Sequence, residues 1–326
     1  MATALLLAFV LAAFSVGRYP VSPAELWTVL WSRLSGAAHP LPVVETVVFR
    51  VRGPRVLSAA AIGATLAAAG AAYQSLFRNP LVSPDILGVS TGAALGATIG
   101  IYLSWGVVGI QVLAFVVGLA AVATVYAIGA SLRRNDPILV LVLAGIVIGT
   151  LLGSFISLLK YLADPYNQLP AITFWLLGSL SSITVMDLAS IVPGVLIGLL
   201  PLWLVRWRMN VMTLTEDEAL ALGVDTRRMR LAVIAAATLM TAAVVSVSGV
   251  IGWIGLLIPH CARLLVGPDF SKLLPAAMLL GASYLVVVDT LARTVAPLEI
   301  PLGVLTAFIG APVFIWLLAL SRRGWQ

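Results

Sequence analysis

The sequence predicts an all-α polytopic membrane protein: about ten transmembrane helices, one of them a short half-helix, plus a short polar helix carried between two spans. Three observations predict it. Hydrophobic residues make up 61% of the 326 and charged residues 10%, against about 45–50% and about 25% in soluble chains. The mean hydropathy is +1.09. Apolar stretches also recur at the length a helix needs to cross a bilayer, about 20 residues, and in lipid a helix satisfies its own backbone groups. No polar stretch is long enough to fold separately, so residues 1–326 read as one transmembrane domain.

Taken in order, residues 1–17 are apolar but lack the basic start of a signal peptide, and a first span is the better reading. A long connection, Arg18 to Arg55, follows. It contains Pro-Val-Ser-Pro-Ala-Glu, a helix start near residue 23, and a half-amphipathic helix through Trp27 and Trp31. The second span covers about Val56–Phe77. Two prolines break the chain in Arg78-Asn79-Pro80-Leu81-Val82-Ser83-Pro84-Asp85. The next spans are about Ile86–Ser104, Val107–Leu132 and Ile138–Leu162, with Arg133-Arg134-Asn135-Asp136-Pro137 as a tight polar turn before the last. A polar loop with Asp164-Pro165-Tyr166-Asn167 leads to the sixth span, about Met186–Val205.

Arg206 to Arg230 then interrupts the pattern with nine charged residues in 25 positions. Within it Glu216 to Gly223 reads as a short helix. Thr213 or Thr215 caps its start, three acids favour the positive end of its dipole, and Gly223 ends it. A polar helix between spans is either a solvated loop or a docking knob. Beyond it lie a seventh span (about Leu231–Ser248), a half-helix over Gly249–Pro259, and spans over about Leu273–Thr294 and Leu302–Leu320.

Charge suggests which side is which. With alternating spans and a cytoplasmic island, one side takes 12 basic residues: Arg78, Arg133, Arg134, Arg206, Arg208, Arg227, Arg228, Arg230, Arg263, Lys272, Arg322 and Arg323. The other takes 7: Arg18, Arg33, Arg50, Arg52, Arg55, Lys160 and Arg293. The excess supports a cytoplasmic island and cytoplasmic termini, and leaves five arginines in the first connection to be explained. Basic residues at segment ends suit membrane lipid rather than nucleic acid, which needs a continuous basic face. Glycine ladders, Gly88-Gly92-Gly96-Gly100 and Gly145-Gly149-Gly153, predict close helix packing.

The chemistry that would mark an enzyme is missing. The sequence has no nucleotide-binding P-loop motif, no His-Glu-x-x-His and no Gly-x-Ser-x-Gly. Its histidines, His39 and His260, are far apart, and a single cysteine, Cys261, excludes an internal disulfide. Asp289 and Arg293 are the ionisable residues inside spans, four apart, as an ion pair or a relay would place them. No cofactor is expected, and energy is expected to come from elsewhere.

Residues 52–92, RGPRVLSAAAIGATLAAAGAAYQSLFRNPLVSPDILGVSTG, resemble the signature of the FecCD family, the permeases of type II ABC importers for iron-siderophores, haem and cobalamin. The likeness continues through Trp175–Leu180, Glu218–Val224, GVIGWIGLLIPHCARLLVGPDF (249–270), Asp289–Arg293, Glu299–Gly303 and Gly310–Phe314. It implies a homodimer with the pathway at its interface, two separate ATPase subunits, and a periplasmic or lipid-anchored substrate-binding protein, in a bacterial or archaeal inner membrane. By the same resemblance Glu216, Asp217, Glu218, Ala219, Leu220, Leu222 and Gly223, in a segment 213–226, would be the ATPase-coupling helix. This chain has Thr215 where the family commonly has glycine. Arg52, Arg55 and Arg293 would dock the binding protein, and Asn79, Pro80 and Leu81 would lie at the cytoplasmic gate. The implied cargo is an iron-siderophore or haem first, cobalamin second, and an oxyanion such as molybdate third. The rival reading is an ATP-independent secondary transporter or channel, which would need more buried ionisable groups than these spans hold.

Overall fold

A computed structural model describes residues 2–17, 19–36, 41–132 and 137–321. His39, Arg18, Arg133, Arg134, Arg322 and Arg323 lie outside these described residues, as do residues 133–136 of the expected polar turn.

The chain opens with α1 (Ala2–Ser15) and α2 (Pro23–Ser35). Ser22 caps α2 in a reciprocal box with Glu25, and Gly36 ends it at φ +69°. Next come α3 (Pro42–Glu45) and α4 (Gly53–Leu76), joined by π-helical turns over Thr46–Arg52. Helix therefore begins before Val56, and the expected long connection is largely helical. Proline sits in the first turn of both α3 and α4, where its missing N–H costs no hydrogen bond.

A short 3-10 turn over Pro84–Leu87 leads into α5 (Val89–Tyr102), followed by α6 (Val107–Ser131) and α7 (Pro137–Leu162). Then comes α8 (Gln168–Leu177), where the sequence suggests only a loop. At ten residues it is too short to register as a span. The island follows α9 (Val185–Leu204) and forms α10 (Arg208–Val211) and α11 (Glu216–Ala221). The fold closes with α12 (Thr226–Ser248), α13 (Ile254–Val266), α14 (Phe270–Thr294) and α15 (Leu302–Ser321). Among the described residues six helices are long and apolar enough to cross a membrane, and five apolar helices are shorter. These eleven are the ten expected segments plus α8.

The half-helix is displaced from its expected place. Gly249 and Trp253 both take positive φ, 70° and 71°, so 249–253 is not helical. The helix starts at Ile254 and runs through Pro259 to Val266. Pro259 removes the N–H that would reach the Gly255 carbonyl, one turn back. That carbonyl lies against Gly70 of α4, whose missing side chain leaves room for it. Gln74 of α4 donates to the Leu256 carbonyl at 2.9 Å.

α4 and α12 form the buried centre, while α6, α7 and α9 turn most of their surface outward. α4 can sit at the centre because alanine and glycine dominate it. A side chain at Gly63 would land on the Gly281 carbonyl of α14, and one at Gly281 on that of Gly63. Of the first glycine ladder, Gly92, Gly96 and Gly100 pack on α6, while Gly88 occupies the turn before α5 at φ +83°. In the second ladder only Gly145 is packed, against Ile86. Side chains at Gly149 and Gly153 would meet nothing within 4 Å.

Candidate functional site

The candidate functional residues gather at the two ends of α4 and at one crossing between them. At the Leu76 end lies the charged island. Thr215 caps α11: its N–H and hydroxyl each donate to the Glu218 carboxylate at 2.9 Å, and its oxygen accepts from the Glu218 N–H at 3.4 Å. The Thr215 N–H and hydroxyl, with Arg78 nearby, hold the Glu218 carboxyl below the usual carboxylate range. Gly223, at φ +77°, ends the helix, and the Val224 N–H returns to the Ala219 carbonyl at 2.9 Å.

The island is fixed to the spans. Arg78, itself at φ +49°, donates to the carbonyls of Met212, at 2.9 Å, and Leu214. Asn210 donates to Asp269 and accepts from the Phe270 N–H, both at 2.7 Å, joining α10 to the start of α14. Arg230 reaches Glu216 at 2.8 Å. Ala219 is fully buried, so it seats α11 and does not offer contact outward. Leu220 and Leu222 do the opposite, at 56% and 63% exposed. Glu216, Asp217, Glu218 and Gly223 are exposed as well. The result is a rigid acidic knob with two leucines on its surface.

Asn79, Pro80 and Leu81 lie beside this mounting, directly after Arg78. The Asn79 side chain accepts from the Leu81 N–H at 2.9 Å, which holds the turn, and Leu81 is exposed. Sequence reasoning brought this loop and the island to one side of the membrane. Arg78 is what joins them, and nothing local in the sequence signals a bond spanning 134 positions.

The opposite end of α4 holds the three arginines, each less than a tenth exposed. Arg55 donates through Nε to Asp289 at 2.9 Å and through both terminal nitrogens to Glu299 at 3.0 and 2.9 Å. Arg293 approaches Asp289 at 3.6 Å and donates to the Ala13 carbonyl at 2.7 Å. Arg52 donates to the carbonyls of Phe14 and Tyr19. The expected Asp289–Arg293 contact therefore exists, but Asp289 accepts its hydrogen bonds from Arg55. All three arginines point inward and tie α1, α4 and α14 together. Sequence reasoning passed over Glu299 as a site residue, although an acid beside a span end with no local partner is a usable signal.

Between the two ends, three interrupted segments cross. Gly178 ends α8 at φ +71° and accepts from the Leu302 N–H at 3.0 Å. The Ser179 N–H donates to the Ser248 carbonyl at 2.9 Å. Beside this crossing opens a cavity of about 660 Å³, walled by Leu176, Leu177, Val250, Trp253, Val304 and Phe308 among others. Trp253 meets Phe314 edge-on at 6.4 Å, and His260 meets the same ring at 6.2 Å.

A model of the FecCD transport family matches residues 5–320. The chain belongs to the FecCD transport family. The permease is 39% identical to the molybdate import system permease MolB of Haemophilus influenzae, over 99% of this chain and 95% of that protein. It is 42% identical to the cobalamin import system permease BtuC of Halobacterium salinarum, over 84% of this chain and 73% of that one. The hemin transport system permease HmuU of Yersinia pestis is 38% identical, over 84% and 82%. A solved structure described as an inward-facing conformation of a metal-chelate type ABC transporter superposes with a TM-score of 0.89 at 37% identity, covering 98% of this chain and 97% of that one. The permease is thus a multi-pass integral membrane protein and a translocation subunit.

Proposed function

We propose that the permease is the membrane half of an ATP-driven importer in a bacterial or archaeal inner membrane, working as a homodimer with two separate ATPase subunits and a substrate-binding protein. The observation that carries this is the knob at 213–226. A loop that merely connected two spans would not need three independent anchors, and it would not show leucines to water. A coupling element needs both: rigidity to transmit a push, and apolar contact to be gripped. The acidic side chains around Leu220 and Leu222 would set its register in a partner cleft.

The family resemblance and the relatives favour a metal chelate or a metal oxyanion as cargo. The cavity beside Trp253 is walled by apolar and aromatic side chains. Such a wall suits an organic chelate, haem or corrinoid better than a bare oxyanion, which needs donors to replace its water. We therefore keep iron chelate or haem first, cobalamin second and molybdate third. The binding protein would dock at the Arg55 end. Because Arg52, Arg55 and Arg293 are engaged internally, an incoming carboxylate would have to displace Glu299, the partly exposed partner of Arg55. Asn79, Pro80 and Leu81 would gate the opposite end, where the knob could move them through Arg78.

The test is uptake of radiolabelled chelate and ATP hydrolysis in proteoliposomes holding the permease, its ATPase and its binding protein. The variant is Leu220→Arg with Leu222→Arg, which leaves the Thr215–Glu218 cap in place. The expected result is loss of ATPase association and uptake with the dimer intact. Uptake that persists without ATP would instead establish the secondary-transporter reading.

A further inference from the structure

α2 is turned the wrong way for a helix in water. Its inner face, Leu26 and Val29, packs on Val44 and Val48 in a small core of its own. Yet its outer face carries Trp27, Trp31 and Leu34 at i, i+4 and i+7, exposed by 66%, 58% and 83%. The two indoles stack with centroids 6.1 Å apart. A helix bathed in water places polar residues on its free face. One lying in a membrane interface places tryptophan and leucine there.

Four further facts say what covers this face. The chain is a membrane protein, and α1, to which α2 is joined, contains no charged residue and turns Leu5, Leu7 and Leu11 outward. α2 starts level with the ends of full-length spans, since Arg52 and Arg293 bind the carbonyls of Ala13, Phe14 and Tyr19 just before it. Between α1 and α2 lies a groove of about 340 Å³, formed by Leu11, Ala12 and Ser15 on one side and Leu26, Trp27 and Leu30 on the other. It continues the outward surface of Leu11. Arg33, one turn beyond Leu30, stands beside Glu45 at 3.9 Å and over Phe49, with its side chain 66% exposed. A cation there snorkels naturally to lipid phosphate.

We propose that α2 is an interfacial anchor lying in the leaflet at the Arg55 end of α4, and that the α1–α2 groove holds one acyl chain of a phospholipid. This proposal rests on the membrane fold alone and is independent of the cargo and the energy source.

The test uses the full-length dimer in nanodiscs. Emission lost between wild type and Trp27→Phe with Trp31→Phe isolates the stacked pair. Lipids brominated near the top of the acyl chain should quench most of that difference signal, and iodide in the water should leave it unchanged. In a Cys261→Ser background, a nitroxide on Leu34→Cys should be more accessible to oxygen than to a water-soluble nickel chelate. Ala12→Trp, which fills the groove, should leave one fewer phospholipid per protomer in native mass spectra. Iodide quenching without bromine quenching would overturn the anchor. So would shielding of the nitroxide only on adding binding protein, which would make α2 a protein-docking face. Bromine quenching that appears only when the dimer is split would make it a face between copies. Unchanged lipid retention by the Ala12 variant would overturn the groove.

Discussion

Arg55 engages two carboxylates from different parts of the chain, Asp289 on α14 and Glu299 in the loop before α15. Asp289 is buried and Glu299 is partly exposed. The two contacts should therefore differ in energy. Removing one member of a buried pair strands a charge and costs about 3–5 kcal/mol, whereas an exposed pair is worth up to about 1 kcal/mol. Arg55→Ala should lower the thermal unfolding midpoint sharply in detergent, with Asp289→Asn close behind and Glu299→Gln only slightly affected. Equal losses for all three would show that the cluster is uniformly solvated. The pair was only half legible in the sequence. Asp289 and Arg293, four apart, suggest each other, but the main donor to Asp289 lies 234 positions away.

The helices meet through glycine, and the size of the missing side chain decides how closely. Gly63 and Gly281 face each other between α4 and α14, and Gly70 faces Gly255 between α4 and α13. Gly70→Val should overpack the α4–α13 contact by about 1–3 kcal/mol or more, seen as aggregation on size exclusion and a lower thermal unfolding midpoint. Gly106→Ala is the contrasting case: its side chain would meet nothing within 4 Å, so it should lose only the preference for glycine over alanine at the start of α6, about 0.5–1 kcal/mol. On the island, Thr215→Ala removes the cap of α11 and should loosen it by about 0.5–2 kcal/mol, read as faster hydrogen exchange over 216–223. Acid should act in the same direction. The folded Glu218 carboxyl titrates below its unfolded value, so its contribution is complete above the ordinary carboxylate range and is lost as pH falls through the depressed value. Exchange over 216–223 in the wild type should then approach that of the Thr215 variant at low pH. A pH-independent gap between them would count against the Glu218 half of the box.

For the whole molecule, α6, α7 and α9 turn broad apolar surfaces outward. α7 is distinctive in presenting Gly149 and Gly153 with open space before them. A smooth stripe on an otherwise large-residue helix is where a second copy can approach closely. Native mass spectrometry of the permease should give twice the protomer mass of 34.2 kDa. Gly149→Leu with Gly153→Leu should reduce the dimer fraction while leaving the protomer folded. A monomer in the wild type would remove the two-fold pathway from the proposed function.

Hydropathy placed ten apolar segments, and the cap of α11 could be narrowed to Thr213 or Thr215 and its stop read from Gly223, because span length and helix capping are local properties of the chain; the structure selects Thr215. The family could also be read, because its motifs run in order from Arg52 to Phe314. The sequence missed what depends on contacts between distant residues. α8 is ten residues long, too short for a hydropathy signal to separate it from a loop. The short helix after Gly249 starts five residues on because Gly249 and Trp253 hold the chain in left-handed conformations, and it continues past Pro259 because Gly70 leaves space for the Gly255 carbonyl. Arg52 and Arg55 looked like surface charges because a lone arginine at a span end carries no mark of its partner. Only the tertiary structure put Asp289, Glu299 and the carbonyls of α1 around them, since burying a guanidinium becomes tolerable only when distant groups converge to satisfy it.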